Sequence, residues 1–374
     1  MIWDIAAFIL QAILAFVVST ALFDALHWVL HRWEGSRFGL LRTFSSWHWV
    51  HHKFLGRDMQ INPAYVQQNL WLHILPEYLT SIVGTLLFLV LFPWPPVALV
   101  VAVRTAMLAM TLKEEGLDYN HMSMSRVGGR QGLLWVDNNY HAMHHVYPQA
   151  FFSSFANVFD LLFGTGNQIS GRRFLVTGAG GAFGSAMVEQ LIKAGGVVET
   201  AKSGRDFSAG NYAAMREKLA RADVLVLAHG AKSEDTWNAN VVTFTDLIDL
   251  FTALGATRLA PPEVWALGSE IELHGDMGMD ELKAYSLSKR AFAARARDYY
   301  RSDALLYRHI VPSSFTSPMG KGAMSAATAV AIALFFIRRG VKYVPVTLTG
   351  MALLNYFRFR YFQKPAPAAL ELAE

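Results

Sequence analysis

Two short stretches of the chain repeat one histidine spacing. Trp47–His52, WHWVHH, carries His48, His51 and His52, and Asn139–Pro148, NYHAMHHVYP, carries His141, His144 and His145. A third stretch, HWVLH, sets His27 and His31 four residues apart. Ten of the 13 histidines precede residue 146. Neutral imidazole is the commonest nitrogen ligand for iron, zinc and copper. In HxxxH the two rings lie one helical turn apart on one face and can grip one ion. In HxxHH the i and i+3 rings are expected to share a face, with the adjacent third ring pointing in a neighbouring direction. Eight imidazoles exceed the roughly six positions around one ion, so the pattern indicates two metals. The paired glutamates of soluble di-iron bundles are missing from the set. A lone HxxxH arises by chance in helices; six histidines in one repeated spacing carry far more weight. His73, beside Pro76 and Glu77, reads as a polar residue near a membrane surface rather than a ligand, and His121, in DYNHM, reads either way.

These residues need helices to hold them, and the composition says where. Of 374 residues, 53% are hydrophobic and 17% charged, with a mean hydropathy of +0.26. That is too apolar for an ordinary water-soluble enzyme and implies membrane segments. The net charge of +4 reads as juxtamembrane Lys and Arg. No nucleic-acid recognition motif is present, so no nucleic-acid partner is expected. The chain has no cysteine, which excludes disulfides, thiolate metal sites and cysteine nucleophiles. Any metal must sit on His, carboxylate or amide ligands.

Ile5–Phe23 is an uncharged run of spanning length, expected to be an anchor helix. Arg32, Arg37, Arg42, Lys53 and Arg57 follow it, placing that loop in the cytoplasm by the positive-inside rule. Tyr78–Val103 is uncharged but broken by FPWPP, Phe92–Pro96. A single crossing there would leave the two HxxHH stretches on opposite membrane faces. A hairpin would reunite them, though each leg looks short for a full crossing. Gly164–Arg172 reads as a linker, after which apolar strand runs alternate with helical patterns, the signature of a parallel α/β sheet. Phe174–Thr177, Val197–Lys202, Val224–Ala228 and Val264–Leu267 read as strands, and Ala186–Ala194 and Ala327–Ile337 as helices. Val346–Phe362 reads equally as an interfacial membrane helix or as a last buried helix.

The α/β region has its own chemistry. Thr177–Gly184, TGAGGAFG, follows a strand and opens a helix, the context in which a glycine-rich turn lets backbone approach a pyrophosphate. Tyr285 and Lys289 form YxxxK, and Ser269 ends the VWALGS strand. A lysine one turn from a tyrosine is expected to lower the phenol's pKa, so that the tyrosine exchanges a proton with a carbonyl or alcohol oxygen held by the serine. The second strand ends in TAKSGRD, with Lys202, Ser203 and Arg205 and no early acid. Positive charge there suits a 2′-phosphate, favouring NADP(H) over NAD(H).

HWVLH, HWVHH, a later single His, NYHAMHH with its hydrophobic-Pro step, and the closing DLLFGT at Asp160–Thr165 make residues 1–167 resemble the membrane fatty acid hydroxylase/sterol desaturase family. The resemblance implies an all-α membrane domain with a di-iron centre, zinc being the alternative metal. It implies hydroxylation or desaturation of a lipid, with electrons from an external donor such as ferredoxin or a cytochrome b5-like protein. Carried over by position, the ligands are His27, His31, His48, His51, His52, His121, His141, His144 and His145. Where relatives often have a second His four residues before His121, this chain has Leu117, with Asp118 next to it.

Residues 171–345 resemble the short-chain dehydrogenase/reductase family, a Rossmann doubly wound parallel sheet. Besides the glycine turn and YxxxK, the match includes LAHGA (Leu227–Ala231) after the expected fourth strand, NANV with Asn240, and IVP…T with Pro312 and Thr316. It implies a catalytic set of Ser269, Tyr285, Lys289 and Asn240. The cofactor contacts it implies are Thr177, Gly178, Gly180, Gly181, Phe183, Gly184, Ser203, Arg205, Ala228, Gly230, Pro312 and Thr316. Ala182 stands where the middle glycine often lies. The combination resembles bifunctional sterol desaturase/short-chain dehydrogenase proteins. The expectation is an integral membrane oxidoreductase with both sites facing the cytoplasm and residues 346–374 as an apolar, membrane-interfacial tail. Two other readings are a non-catalytic scaffold with a structural metal and a nicotinamide-sensing domain, and a membrane-anchored reductase whose metal domain is inactive.

Overall fold

A computed structural model describes residues 1–232, 235–318 and 320–362; the end of the expected tail, 363–374, lies outside the described residues. The chain forms two compact units. One comprises Met1–Val127 and Gln131–Asn167, the other Gly128–Arg130 and the chain from Gln168 onward.

The first unit is helical. Three helices are long and apolar enough to cross a membrane: Ile2–Trp33, Pro63–Val90 and Trp94–Lys113. The prolines turn the chain back, since Pro93 precedes the Trp94–Lys113 helix and supplies its N-cap. The run is therefore a hairpin. Its legs are longer than the uncharged run suggested, because the first begins at Pro63 and the second extends to Lys113. The three helices pack on one another. Small residues set the closest approach, and a Cβ added to Gly84 would lie 3.2 Å from that of Ser19. Arg104 ties the third helix to the first, its Nη2 donating to Phe16 O (3.0 Å), Ser19 Oγ (2.7 Å) and Thr20 Oγ1 (2.8 Å). Ile9, Leu10, Ile13, Val83, Leu87 and Leu99 point outward as an apolar belt. The first helix, at 1.5 Å per residue, is about 48 Å long against about 30 Å of hydrocarbon, so it is longer than one crossing needs, and His27 and His31 lie in its last two turns.

The second unit is a six-stranded, all-parallel sheet in the order β2-β1-β3-β4-β5-β8. Its strands are β1 (Arg173–Thr177), β2 (Val197–Ala201), β3 (Val224–Leu227), β4 (Glu263–Leu267), β5 (Leu306–Pro312) and β8 (Tyr343–Val346); β6 (Phe315–Thr316) and β7 (Met324–Ser325) form a separate short ladder. One apolar cluster covers each face, consistent with helices on both sides. The strand before LAHGA is the third in the chain, not the fourth. Among the described residues no sheet strand lies between β2 and β3; residues 202–214 hold only turns and isolated bridges.

The sheet centre carries charge. Glu263 on β4 is fully buried, accepting from Arg172 Nη1 (2.7 Å), Arg308 Nε (2.6 Å) and Trp265 Nε1 (2.6 Å). Burial alone would raise its pKa, but the two guanidinium groups hold it down at about 2. Glu263→Gln leaves two buried cations without their countercharge and is expected to cost about 3–5 kcal/mol in denaturant unfolding of the reconstituted chain. The folded value lies below the ordinary 4.5. The contribution is therefore whole above about pH 4.5 and fades as pH falls towards 2.

Candidate metal centre and dinucleotide site

All nine expected metal ligands meet at one end of the first unit, where the first spanning helix ends, the second begins and the third ends. They form two groups. His27, His31, His48, His52 and His144 make one, and His51, His121, His141 and His145 the other; within each, one nitrogen per ring lies within 4.8 Å of the others. The two HxxHH stretches divide in mirrored fashion. His48 and His52 go to the first group and His51 to the second, while His141 and His145 go to the second and His144 to the first. The pairs sharing a group are thus i,i+4, not the expected i,i+3. Four residues at 3.6 per turn leave a 40° offset, whereas three leave 60°, so i,i+4 rings converge better on one point.

In the first group Nε2 of His31 lies 2.9 Å from Nε2 of His48 and 3.2 Å from Nε2 of His52, and Nε2 of His144 lies 3.3 Å from Nε2 of His52. Nitrogens about 2.1 Å from a shared ion stand roughly 3.0–3.4 Å apart, so the spacing suits a metal. In the second group Nε2 of His51, His121 and His145 and both nitrogens of His141 are buried without a partner. The opposite nitrogens of three rings are occupied: His51 Nδ1 with Asn69 Oδ1 (3.3 Å), His121 Nδ1 with Asp118 Oδ1 (2.8 Å) and His145 Nδ1 with the Leu55 carbonyl (2.9 Å). His144 Nδ1 likewise meets the Ala150 carbonyl (2.8 Å). Rings anchored on the outer nitrogen and bare on the inner one are what metal ligation requires. Burial and the neighbouring imidazoles hold His48, His51, His52, His141 and His145 well below the ordinary histidine value, in the neutral form that ligates.

Asn69 and Asp118 were not foreseen as supports. Asp118 stands beside the Leu117 position and holds His121 from there. His73 is buried, stacked 3.8 Å over His51 with Nε2 3.5 Å from Glu77, and belongs to neither group. Beside the second group lies a mostly apolar cavity of about 600 Å³, lined by Ile74, Met107, Leu108 and Phe155 together with Glu77, Arg104 and Asp118.

In the second unit Gly178 has φ +70°, and a Cβ there would lie 2.4 Å from the His229 amide nitrogen beyond β3. Only glycine fits where β1 and β3 diverge. A Cβ on Gly184 would strike the Gly178 carbonyl, so the helix Ala182–Lys193 starts tight against the turn. Ser269, Tyr285, Lys289 and Asn240 line one cavity of about 490 Å³ with Gly181, Phe183, Ala228, Gly230 and Pro312. Thr177 bonds His229 Nδ1 (2.7 Å) beneath it. Gly180, Ser203, Arg205 and Thr316 are not among its lining residues. Asn240 sits in a π-helical turn, Asn238–Val242, donating to the Ala231 carbonyl (2.8 Å) and Ser288 Oγ (3.0 Å).

Two expectations change here. Lys289 Nζ donates to the Leu267 carbonyl (2.8 Å) and lies 5.9 Å from the Tyr285 ring centre. Burial pushes the phenol up to about 12, its bond to Ser269 opposing and Glu272 adding. Burial likewise pushes Lys289 down to about 8. An acid also stands at the end of β2. The turn after Lys202 brings Asp206 back to accept from Lys202 N (2.7 Å) and to pair with the exposed Arg205 (2.7 Å), so an acid and a cation share that position. Glu272, unforeseen, is buried behind the site. It accepts from Ser269 N (2.9 Å) and meets His309 Nε2 (3.1 Å). Its sequence signal, an acid three residues after Ser269, is faint.

No family model matches the chain. The monoglucosyldiacylglycerol epimerase of Synechocystis sp. is 23% identical, the match covering 91% of this chain and 93% of that protein. Among solved structures, a short-chain dehydrogenase from Burkholderia cenocepacia in complex with NADP is 15% identical at TM-score 0.41, covering 50% of this chain and 94% of its own. One from Burkholderia phymatum in complex with NAD is 14% identical at TM-score 0.41, covering 55% and 100%. The ketone-specific alcohol dehydrogenase of Comamonas testosteroni is 13% identical at TM-score 0.40, covering 50% and 92%. The Rossmann assignment of the second unit rests on its parallel strand order and the Gly178 crossing.

Proposed function

We propose that this chain is a membrane oxidoreductase with two sites acting on lipid. The observation that carries the reading is the gathering of nine histidines into two groups in a chain that also folds a Ser-Tyr-Lys cavity. In the first unit His27, His31, His48, His52 and His144 would hold one ion and His51, His121, His141 and His145 a second, iron on the resemblance to hydroxylases. Such a pair would supply the oxygen activation needed to hydroxylate or desaturate a lipid, with two electrons from an external donor such as a ferredoxin. The chain's own part is to anchor the rings of His51, His121, His144 and His145 from their far nitrogens and to hold an acyl chain in the neighbouring apolar cavity.

In the second unit a nicotinamide dinucleotide would supply hydride exchange. Ser269 fixes the reacting oxygen, and Tyr285 gives or takes its proton. Lys289 and Asn240 hold the wall behind them. Asp206 beside Arg205 leaves NAD and NADP both admissible.

The epimerase relative favours a second reading of the same cavity, because it matches the chain across both units. Inverting a carbon that bears a hydroxyl is an oxidation followed by reduction on the opposite face. One hydride leaves and returns, and one proton passes to Tyr285 and back, with no net redox change. The experiment is lipid profiling of cells supplied with monoglucosyldiacylglycerol and expressing wild type, His145→Ala or Tyr285→Phe. Appearance of the sugar epimer that Tyr285→Phe abolishes supports epimerisation. A hydroxylated or desaturated lipid lost in His145→Ala supports oxygen chemistry. Three coincident profiles defeat both.

A further inference from the structure

The end of the described chain was expected either to lie in a membrane interface or to close the soluble core. One face closes the core, and the opposite face is exposed and apolar. In the helix Met351–Phe357 and the π-helical turn Arg358–Phe362, Ala352 and Phe359 are buried in the core of the second unit. On the other side Leu353, Leu354, Phe357, Tyr361 and Phe362 are between 53% and 77% exposed. Five large apolar side chains on twelve residues are too many for a face that only meets water.

We infer that this face docks on a bilayer containing anionic lipid. Three observations select that occupant. First, charge: residues 341–362 contain no acid, the Arg360 guanidinium lies 6.0 Å from the ring centre of the exposed Tyr361, and the exposed Arg301 donates to the Arg360 carbonyl from the adjoining helix. Basic side chains around an aromatic and aliphatic face suit an anionic headgroup layer. Second, continuity with the cavity: Leu348 and Met277 line the Ser-Tyr-Lys cavity and are themselves 60% and 65% exposed. Third, attachment: Glu270 lines the same cavity, and its Oε1 accepts from Ala352 N (3.0 Å) at the start of the helix. Arg358 Nη1 donates to the carbonyls of Glu272 (3.0 Å) and Leu273 (3.1 Å). The apolar face is thus bonded to the cavity's rim. A lipid would enter the cavity headgroup first while its chains stay in the bilayer. The ligand class is a glycerolipid-like molecule whose reacting hydroxyl or carbonyl lies in the headgroup. Docking rests on the function proposed above only for this purpose.

The chain has no cysteine, so a single one can be placed and labelled cleanly. Full-length protein carrying Leu354→Cys or Phe357→Cys is labelled with nitrobenzoxadiazole in nanodiscs of phosphatidylcholine and phosphatidylglycerol. Glu217→Cys, on the helix Met215–Arg221, is the aqueous reference, its side chain being 81% exposed. The expected result is blue-shifted emission at 354 and 357, quenched severalfold by nitroxide-bearing acyl chains and little by iodide, with the reverse at 217. Quenching should weaken in discs of phosphatidylcholine alone. Labels at 354 and 357 that respond to iodide as 217 does, and not to nitroxide lipid, overturn the inference. Labels shielded from both quenchers also overturn it, assigning the face to a protein such as a second copy. No turnover is read, so this outcome is independent of whether the proposed reaction occurs.

Discussion

Replacing His144 with alanine is expected to take bound metal from two ions per chain towards one, read by elemental analysis of anaerobically purified protein. The loss should fall on the five-histidine group. His144 Nε2 approaches His52 there, and its ring centre lies 4.5 Å from that of His27 and 4.9 Å from that of His31. A ligand contributes more than the residue that orients it, and removing an orienting partner already costs 10–100-fold in affinity, so a drop of at least about 100-fold is expected. His145→Ala should strip the other ion and leave the first. Because the sequence-adjacent histidines serve different groups, the two variants should differ in which ion survives, seen as distinct spectra after iron reconstitution. Identical loss in both would mean one shared site rather than two.

Tyr285→Phe is expected to reduce alcohol–carbonyl exchange by about 10² to 10⁴-fold while metal content and dinucleotide affinity stay at wild-type levels. In the proposed reaction its hydroxyl, bonded to Ser269, would exchange the proton, whereas the Gly178 turn that would seat the dinucleotide follows another element. A phenol at about 12 in the free protein is a poor base at neutral pH. The rate of alcohol oxidation, which needs the phenolate, should therefore rise with pH until a second group limits it. A variant that loses dinucleotide affinity along with rate would place Tyr285 in the scaffold instead.

Much of the site was legible because its signals are local. Histidine spacing, the glycine turn and YxxxK each sit within ten residues, and helix or strand periodicity fixes what such short segments can present. What escaped was non-local. β5 is missing from the expected strands, with Arg308 and His309 standing in its middle; it is a buried interior strand because Glu263 from β4 and Glu272 from beyond it meet those charges. Asp206 escaped because a tight turn, not strand geometry, returns it to the end of β2. Asn69 and Asp118 lie 18 and three residues from the rings they orient, with no repeat to mark them.

The three helices long enough to span have one more implication. Three crossings would put Met1 on the side of the membrane opposite the histidine groups. An impermeant protease or antibody directed at the first few residues of sealed vesicles would therefore report the sidedness of the preparation, without touching the histidine end.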